Sequence, residues 1–556
     1  MTPEHNRGAG GLWLAAGIAV GAVATLALVM GAMAIFGPGG PAAAYDPPQF
    51  VEEASSAGVD HVYDGEFNFF VGGGVAVFDC DSDARPDLFF AGGTNPAALF
   101  RNESSKGGEL EFTRLPSPET ELTEVTGAYP VDIDSDGETD LAVLRLGENV
   151  MLRGLGNCRF ERANETWSID GGDLWTTAFS AAWEGDAELP TLAFGNYLQL
   201  DENGDRTQSC SDNVLFRPGG NHYDPPLPLS PGWCTLSVLL SDWDRSGRRD
   251  LRTTNDRHYY RAGEEQLWRL EEGAPPRLYT HDEGWQPMQI WGMGIASQDL
   301  TGDGFPEVFL TSQADNKLQT LADGPSRPEY VDIAFDLGVT AHRPFVGDPI
   351  YPSTAWHPEF QDVNNDSLID LYISKGNVEA QPDFADEDPS NLLLGNPDGT
   401  FTDAAEEAGI VNFARARGAA LVDLNMDGML DLVEVNRRVN IELWRNMGWG
   451  DQSGSLPMGD FLAVELEQSA PNTDAIGSWI EVRTGNRVLL KEVTVGGGHA
   501  GGQLGWSHFG VGEADSVEIR VQWPDGEWGP WLNVSSNQFV TVRRDAAEVE
   551  PRIADE

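Results

Sequence analysis

Basic side chains are scarce in this sequence. Its 556 residues contain 35 lysines and arginines against 89 aspartates and glutamates, which gives a formal net charge of -54. Nucleic-acid-binding proteins neutralise phosphates with clustered lysine and arginine, so this balance argues against nucleic acid and against anionic membrane surfaces as partners. Divalent cations or basic ligands fit the charge better. Because aromatic and aliphatic residues are interleaved throughout, we expect a folded body rather than a disordered acidic chain.

Cysteine is also scarce, and recognisable catalytic motifs are missing. The four cysteines contain no CxxC pair, which gives little support to a zinc or redox site. They suit disulfides in an oxidising compartment, and three pairings are open, of which Cys210–Cys234 is favoured as the closest pair in sequence. There is no nucleophile elbow, no HExxH and no consistent Ser/His/Asp constellation. These absences favour a protein without catalytic activity.

One long hydrophobic run is present, at the N-terminus. Leu12–Phe36 has no charged side chain, and its 25 residues suffice to cross a hydrocarbon core of about 30 Å as a helix. A cleavable signal peptide has a shorter apolar core of about 7–15 residues. We therefore expect a cytoplasmic N-terminus over 1–10, a transmembrane signal-anchor over 11–36 and a Pro/Gly/Ala linker over 37–49. The alternative is cleavage near Ala42 and Ala44, which form an A-x-A match.

Charge around this run predicts its orientation. Arg7 precedes the run, and no lysine or arginine follows it until Arg85. The positive-inside rule then places the rest of the chain outside the cytoplasm. With either kind of processing, residues 45–556 lie beyond the membrane, in the periplasm or at the cell surface, or are secreted if the N-terminal segment is cleaved. The membrane is contacted through the N-terminal helix only.

A ten-residue acidic pattern recurs along the chain. It begins at Asp79, Asp132, Asp242, Asp299, Asp362 and Asp423, with "DIDSDGETDL" and "DLNMDGMLDL" as two of its copies. The step from Asp132 to Asp242 is about twice the others, and a degenerate copy, "WEGDAELPTL" from Trp183, lies midway. Short apolar runs such as "LFFAGG" and "ELWRN" follow each copy and are typical of strands. Seven such units predict an all-β fold, a seven-bladed β-propeller.

The ends of the repeat region predict how the propeller closes. "FVEEASSAGV" (Phe50–Val59) is similar to segments that follow the third strand of two later units, whereas the last unit lacks such a segment after Glu442–Asn446. We expect Phe50–Val59 to complete the last blade, because a closed ring leaves no unpaired edge. The propeller then covers 50–450. A small β-sandwich-like domain over 458–543, predicted from alternating apolar residues, and an acidic tail over 544–556 follow.

The acidic loops have the composition of calcium sites. Calcium takes about 6–8 oxygen ligands, side chains at places one, three, five and nine can converge, and a sharp turn at place six favours glycine. An EF-hand would need glutamate at place twelve and flanking helices, and only Glu434 matches. Ordinary turns remain the alternative for a single loop. We predict up to six Ca²⁺, with the Asp242 and Asp299 loops weakest. The predicted ligands are Asp79, Asp81, Asp83 and Asp87; Asp132, Asp134, Asp136 and Asp140; Asp242, Asp244, Ser246 and Asp250; Asp299, Thr301, Asp303 and Glu307; Asp362, Asn364, Asp366 and Asp370; and Asp423, Asn425, Asp427 and Asp431.

The loops resemble the FG-GAP/VCBS repeats of integrin-α-type propellers, whose D-x-D-x-D-G-x-x-D loops bind calcium. The segment Asn472–Gly526 resembles the ASPIC/UnbV domain through "DAIG", "GGG", "HFGVG" and "WPDG", with His499 where tyrosine is commoner. Together they resemble cartilage acidic protein and its bacterial relatives. The resemblance implies architecture more than activity. "GGGHAGG" also lacks the Gly-Lys-Ser/Thr and the helix of a phosphate-binding loop, and we expect His508 to be a hydrogen-bonded residue of a packed turn.

The expected function is that of an extracytoplasmic, membrane-anchored, calcium-stabilised binding or adhesion module without catalytic activity. Its partner would be a protein or carbohydrate ligand, held on the face opposite the acidic loops or on the loop insertions at Asn196–Asp212 and Asn377–Ser390. The alternative is an extracellular enzyme, a lyase or hydrolase acting on polysaccharide, with structural calcium. A channel mouth with clustered ionisable groups would favour the enzyme.

Overall fold

The computed structural model describes residues 46–552, except 203, 205, 258–261, 342–350, 380 and 451–453. The predicted cytoplasmic segment, the transmembrane segment, most of the linker and the end of the acidic tail lie outside these residues. No helix within the described ranges is long and apolar enough to span a membrane. Helical structure there consists of single turns, at Phe67–Phe69, Asn164–Trp167, His281–Glu283 and Ala334–Leu337.

The described chain is all-β and propeller-like up to residue 446. Its strands pair antiparallel in groups of four, and each acidic loop joins the first and second strand of a group. The groups are Val75–Phe78, Asp87–Phe90, Ala98–Asn102 and Phe112–Arg114; Val125–Val131, Asp140–Gly147, Val150–Gly154 and Phe160–Arg162; Leu174–Ala182, Thr191–Asn196, Asn213–Phe216 and Leu227–Leu229; Thr235–Ser241, Asp250–Arg257, Gln266–Arg269 and Arg277–Leu278; Ile290–Gln298, Glu307–Ser312, Lys317–Leu321 and Tyr330–Asp332; Ala355–Gln361, Asp370–Lys375, Asn391–Gly395 and Phe401–Asp403; and Arg415–Val422, Asp431–Arg437 and Glu442–Asn446 with Phe50–Glu52.

The inner strands of the groups are buried on both faces. All residues of Val125–Val131 and of Asp431–Arg437 are buried. Neighbouring groups pack face to face, so Tyr372 of one group shares a cluster with Leu421 and Leu432 of the next. A strand buried on both faces does not need the strict alternation of apolar and polar residues, and the polar side chains of Asp431–Arg437 are buried as well. Such sheets are stable only as part of a ring or stack.

The first described strand completes the last group. Phe50 pairs with Asn446 and Glu52 with Trp444, in antiparallel register. The next residue, Glu53, adds an ion pair of 2.7 Å with Arg445. The pairing predicted for the segment that begins at Phe50 is therefore confirmed, and the two ends of the repeat region share one sheet.

Two disulfides link the described cysteines. Cys80 is bonded to Cys158, which lies 78 residues away, and Cys210 is bonded to Cys234, 24 residues away. The favoured Cys210–Cys234 pairing is confirmed. Cys210 belongs to an additional hairpin of Leu198–Leu200 and Arg206–Cys210, inside the first of the two predicted loop insertions. Structural disulfides are typical of extracytoplasmic domains.

The C-terminal domain is a sandwich of two four-stranded sheets, as its sequence predicts. Leu462, Ile480 and Val540 are fully buried between the sheets. Its strands are Asp460–Glu467, Ser507–Gly512, Gln538–Arg543 and Glu550–Pro551 in one sheet, and Trp479–Thr484, Arg487–Glu492, Ser516–Gln522 and Leu532–Ser535 in the other. The short strand Gly502–Gln503 leaves this domain and pairs, in parallel, with Val75–Phe78 of the propeller-like region.

Candidate metal centres

The acidic loops share one backbone geometry, which the carboxylate at place one organises. Asp132 accepts a hydrogen bond of 3.2 Å from the Asp136 N–H and one of 3.0 Å from the Gly137 N–H. Asp242, Asp362 and Asp423 accept from the same two places of their own loops, and so does Asp79. Asp299 accepts from places four and six. The first aspartate is therefore needed for the shape of the loop.

Place six adopts the left-handed conformation in each loop, as the sequence predicts. Its φ is +89° at Gly137 and +89° at Gly428, with similar values at Gly247 and Gly304. Two loops carry other residues at this place, Ala84 with a φ of +76° and Ser367 with a φ of +68°. A side chain in this conformation costs about 1–2 kcal/mol relative to the right-handed one. The Asp79 and Asp362 loops are therefore strained.

Ala84→Gly is expected to raise the free energy of unfolding by about 1 kcal/mol, because it removes the clash of Cβ at this φ. The hydrogen bond that the Ala84 carbonyl accepts from Trp506 involves only backbone at position 84 and is retained. Thermal or denaturant unfolding measures the change. The control is Ala187→Gly at place five of the degenerate loop, where φ is not positive; glycine there should lower stability slightly. A lower stability of Ala84→Gly would contradict the strain.

Buried oxygens without a hydrogen-bond partner mark several loops. Within the described part of the chain, four place-three side chains have such an oxygen, Asp81 Oδ1, Asp134 Oδ1, Thr301 Oγ1 and Asn425 Oδ1, and Asp427 adds Oδ2 at place five. A buried acceptor left without a partner costs about 1–3 kcal/mol. Four of the loops therefore present a buried oxygen acceptor at the same place. Oxygen ligands of this type suit a hard divalent cation.

Two loops bring their carboxylates within reach of a single ion. Ligand oxygens of Asp79, Asp81 and Asp87 lie within 4.8 Å of one another, and so do those of Asp132, Asp134 and Asp136. Asp83 lies aside in the first of these loops, because it pairs with Arg85 at 2.8 Å. Both sets contain the place-three aspartate, of which one oxygen has no hydrogen-bond partner among the described residues.

The acid at place nine has a further role that the sequence analysis missed. Asp140 accepts hydrogen bonds of 2.7 Å from the Ile133 N–H, at place two of its loop, and of 2.8 Å from the Gly154 N–H, in the third strand. Asp87, Asp370 and Asp431 make the same two bonds in their own units. Each carboxylate oxygen keeps a second lone pair for a ligand. Place nine therefore ties the loop to the sheet, and at Asp87 it also lies within reach of the candidate site.

Burial and mutual repulsion raise the pKa of many of these acids. Burial, followed by the charge of Asp303, raises the pKa of Asp299 to about 6, and burial raises that of Glu307 to about 7. The pKa values of Asp423 and Asp431 are held well above the usual range by burial and by the neighbouring loop carboxylates. Carboxylates kept this close are costly without a positive charge, so a bound cation would lower these pKa values and release protons.

Arginine serves as the counter-ion in some units. Arg248 of the Asp242 loop lies 3.0 Å from Asp250 and 3.5 Å from Asp244, so this loop holds its own positive charge. In the degenerate unit, Arg217 pairs with Glu184 at 2.8 Å. In the Asp132 loop, Arg153 lies 2.7 Å from Asp134 and also pairs with Asp136, so two of the predicted ligands have a cationic partner. The Asp242 loop therefore remains among the weakest candidates.

The remaining predicted ligands lie in their loops without converging as closely. Asn364 donates a hydrogen bond of 3.4 Å to Asp366, and Asp362 is buried with both oxygens accepting from the loop backbone. Asp303 accepts from the Phe305 N–H at 2.9 Å. Ser246 donates its backbone N–H to Asp242 at 2.8 Å. These residues hold loop shape, and their part in binding an ion stays a prediction.

The glycine-rich segment 495–502 fills the centre of the ring of strands. Val495, Gly496, Gly498, Gly501 and Gly502 form bridges or strand pairs to the first strands of five successive groups. His499 donates its backbone N–H to His357 of a sixth group, and its buried ring contacts the Met293 carbonyl and the Gly72 N–H. A Cβ on Gly501 would lie 2.2 Å from the Val75 carbonyl oxygen, so only glycine fits. The sequence excluded a phosphate-binding loop here but did not predict that the segment would fill the centre of the ring. Residues 495–502 are called the plug below.

His508 lies on the strand Ser507–Gly512 rather than in a turn. Its Nε2 is 2.7 Å from Asn365 Oδ1 of the Asp362 loop, so it is a buried hydrogen-bonded residue, as expected, but its partner is in the other domain. Burial of the ring lowers the pKa of His508 to about 3. The neutral ring therefore persists throughout the physiological pH range.

The C-terminal domain matches a known family. Residues 468–549 match the model described as ASPIC and UnbV, which confirms the resemblance for this domain. A comparison with curated proteins finds no match. The relationships to FG-GAP repeats and to cartilage acidic protein stay predictions.

Solved structures show remote likenesses to the chain. A lectin from Agrocybe aegerita that recognises non-reducing terminal N-acetylglucosamine is 16% identical, with a TM-score of 0.37 over 65% of this chain and 88% of that chain. PorZ, a surface component of the type-IX secretion system of Porphyromonas gingivalis, is 11% identical, with a TM-score of 0.37 over 82% and 58%. The extracellular domain of a putative hybrid two component system from B. thetaiotaomicron is 7% identical, with a TM-score of 0.37 over 88% and 59%.

Proposed function

We propose that this chain is an extracytoplasmic, membrane-anchored binding module in which several Ca²⁺ ions stabilise a seven-bladed β-propeller. The observation that carries the proposal is the repeated place-three oxygen that is buried without a partner, at Asp81, Asp134, Thr301 and Asn425. Independent loops with the same backbone shape share this feature, and a bound cation would satisfy it in each of them. The seven units of the sequence pattern correspond to seven blades.

The residues at different places of the loop would have different roles in binding Ca²⁺. The aspartate at place one orders the loop and offers its carboxylate, places three and five supply further oxygens, and place nine anchors the loop to the third strand. Calcium would supply the positive charge that these buried carboxylates lack. Because the donors are carboxylate, amide and hydroxyl oxygens without sulfur or imidazole, they fit calcium better than zinc or copper.

The ligand surface is proposed on the face opposite the acidic loops. The C-terminal domain covers the loop side and fills the channel, which leaves the opposite face for a partner. Both long insertions, Asn196–Asp212 and Asn377–Ser390, connect strand ends on this face, beside the half-buried aromatic side chains of Phe67 and Trp291. Aromatic and polar side chains on loops over a rigid scaffold are typical of protein or carbohydrate recognition.

Ionisable residues at the opposite mouth of the channel are engaged in contacts with their neighbours. Arg417 lies over the Trp356 ring at 4.1 Å and donates its Nε–H to the Phe70 carbonyl at 2.6 Å. Arg437 pairs with Glu379 at 2.7 Å. Each cation therefore has a partner that holds it in place. The polysaccharide lyase or hydrolase stays the alternative, because Arg417, Arg437 and Glu379 form a cluster of ionisable groups at this mouth.

The double variant Asp132→Ala with Asp134→Ala tests the metal assignment. It should retain a cooperative unfolding transition but lose one calcium site, and with it about 2.7 kcal/mol of calcium-dependent stabilisation when free calcium is 100 times the dissociation constant. Calorimetric titration counts the sites, and unfolding with and without calcium measures the gain. The control is Asp186→Ala with Glu188→Ala, two exposed acids of the degenerate loop. Equal calcium stoichiometry in the wild type and the Asp132 variant would contradict the assignment.

A further inference from the structure

The Asp242 loop differs from the other acidic loops in its three arginines. Arg245, Arg248 and Arg249 occupy its places four, seven and eight, whereas no other acidic loop has more than one basic residue in these nine places. Within the described part of the chain, no buried side-chain oxygen of this loop lacks a hydrogen-bond partner, in contrast to four of the other loops. The feature that supports calcium in those loops is therefore missing from this one.

The carboxylate at place nine of this loop has no lone pair left for an ion. Asp250 Oδ1 accepts hydrogen bonds of 3.0 Å from the Leu270 N–H and from Arg248 Nε. Its Oδ2 accepts from the Tyr279 hydroxyl at 2.7 Å, from the Trp243 indole N–H at 3.0 Å and from Arg248 Nη2 at 3.2 Å. A carboxylate offers about four lone-pair sites. Five donors therefore saturate Asp250.

Arg248 supplies the positive charge that an ion would bring. Its guanidinium lies 3.0 Å from Asp250, whose side chain is fully buried, and 3.5 Å from Asp244. The planar guanidinium is always charged and presents its donors in a fixed arrangement that matches carboxylates. Calcium would have to displace this cation and break the hydrogen bonds of Asp250. The residues of the Asp242 loop therefore do not fit a calcium ion.

The other two arginines of the loop reach across to the C-terminal domain. Arg245 Nη2 donates a hydrogen bond of 2.7 Å to Gln522 Oε1. Arg249 donates to the Gly477 carbonyl and, at 2.9 Å, to the Pro524 carbonyl. All three acceptors belong to the C-terminal domain, and hydrogen bonds from a charged donor are stronger than those between neutral groups. The loop is therefore bonded to the domain through guanidinium groups.

The surface of the C-terminal domain is shaped for this contact. A Cβ on Gly477 would lie 2.6 Å from Arg249 Nε, so a larger residue would push the guanidinium away. In return, Glu492 of the domain accepts hydrogen bonds from the Ser241 hydroxyl at 2.6 Å and from the Asp242 N–H at 2.8 Å. Charged groups thus bind in both directions across the junction, and none of these contacts needs an ion.

We propose that the Asp242 loop binds no Ca²⁺ and is instead a calcium-independent anchor for the C-terminal domain. Arg248 takes the role of the ion inside the loop, and Arg245 and Arg249 hold the domain. Because the same domain carries the plug, the anchor keeps the centre of the ring filled when calcium is absent. The inference goes beyond the proposed function, since it separates docking of the domain from occupancy of the other loops.

Calorimetric titration of the full chain with Ca²⁺ tests the first half of the inference. Asp244→Asn should bind as many ions as the wild type, because Asp244 faces a guanidinium rather than an ion. Asp81→Asn is the matched control, with the same change at the same place of the Asp79 loop, and it should lose one site. Loss of a site in Asp244→Asn would overturn the inference.

Hydrogen exchange of the plug tests the anchor. With excess chelator, residues 495–502 of the wild type should remain protected. The double variant Arg245→Gln with Arg249→Gln should exchange there at least about tenfold faster, with calcium or with chelator, because several hydrogen bonds from charged groups are lost. The control Arg277→Gln changes an exposed arginine of the same group of strands and should match the wild type. Rapid exchange of the wild-type plug in chelator would show that docking depends on calcium.

The outcomes keep the anchor apart from the proposed calcium binding. If the wild type binds no calcium but the double variant releases the plug, the proposed function fails and the anchor stands. If the plug stays protected in the double variant, the anchor is overturned at any calcium stoichiometry. Arg245→Gln alone replaces the double variant if the latter does not melt cooperatively, and its plug should also exchange faster than that of the wild type.

Discussion

A chelator added to the calcium-loaded protein is expected to lower the midpoint of thermal unfolding by on the order of 10 °C. Each ion that binds only the folded state contributes about 2.7 kcal/mol at 100 times its dissociation constant. Three or more occupied loops therefore contribute on the order of 8 kcal/mol, and about 1 kcal/mol shifts the midpoint of a large domain by roughly 1–2 °C. The buried acids without partners supply the physical reason, since repulsion among them is released when the loops unfold.

Differential scanning calorimetry with added calcium or excess chelator measures this shift. Magnesium should restore less of the midpoint than calcium, because it requires a smaller octahedral shell and gives up its water reluctantly. The protonation state gives an independent check: Asp299 and Glu307, with pKa values raised to about 6 and 7, bind protons more readily when folded without metal. Lowering the pH from 7 to 5 should therefore weaken calcium binding. An unchanged midpoint on chelation would exclude the metal assignment.

Gly501→Ala is expected to lower the free energy of unfolding by more than about 3 kcal/mol, or to displace the plug altogether. The added Cβ would lie 2.2 Å from the Val75 carbonyl oxygen, and backbone on both sides cannot yield without breaking the contacts of the plug. Unfolding measurements and hydrogen exchange of residues 495–503 report the two effects. In the control Gly529→Ala, the Cβ meets ordinary contacts at 3.5 Å. Equal stability of both variants would contradict the plug.

Local patterns in the sequence were sufficient for much of the fold. The left-handed turn at Gly137 and Gly428 follows from a motif only nine residues long, because the place-one carboxylate and the turn are neighbours in the chain. The pairing of the strand that begins at Phe50 with Glu442–Asn446 could be predicted, because similar segments directly follow the third strand in two other units. Because the units repeat, each can be aligned with the others, and the alignment shows that the last unit lacks its fourth strand.

Contacts between the two domains could not be predicted in the same way. His499 is buried against strands from several groups, and each of those partners is more than 100 residues away. The sequence of the plug has no periodic pattern that would indicate its position among the strands. From the sequence alone, only a phosphate-binding loop could be excluded. The hydrogen bond from the Thr473 hydroxyl to Asp132 likewise depends on how one domain lies on the other. Interfaces of this kind become visible only in three dimensions.

The antiparallel pairing of Phe50–Glu52 with Glu442–Asn446 affects how the chain can fold during synthesis. The partner of the earliest strand leaves the ribosome almost 400 residues later. At a synthesis rate of about 5–20 residues per second, roughly 20–80 seconds pass before the partner strand is made. During this time the first strand is unpaired and the incomplete set of sheets has an exposed edge. Export in an unfolded state, or shielding by a chaperone, would protect this interval. The pairing that leaves no unpaired edge in the folded protein therefore delays completion of the last sheet until residues 442–446 have been synthesised.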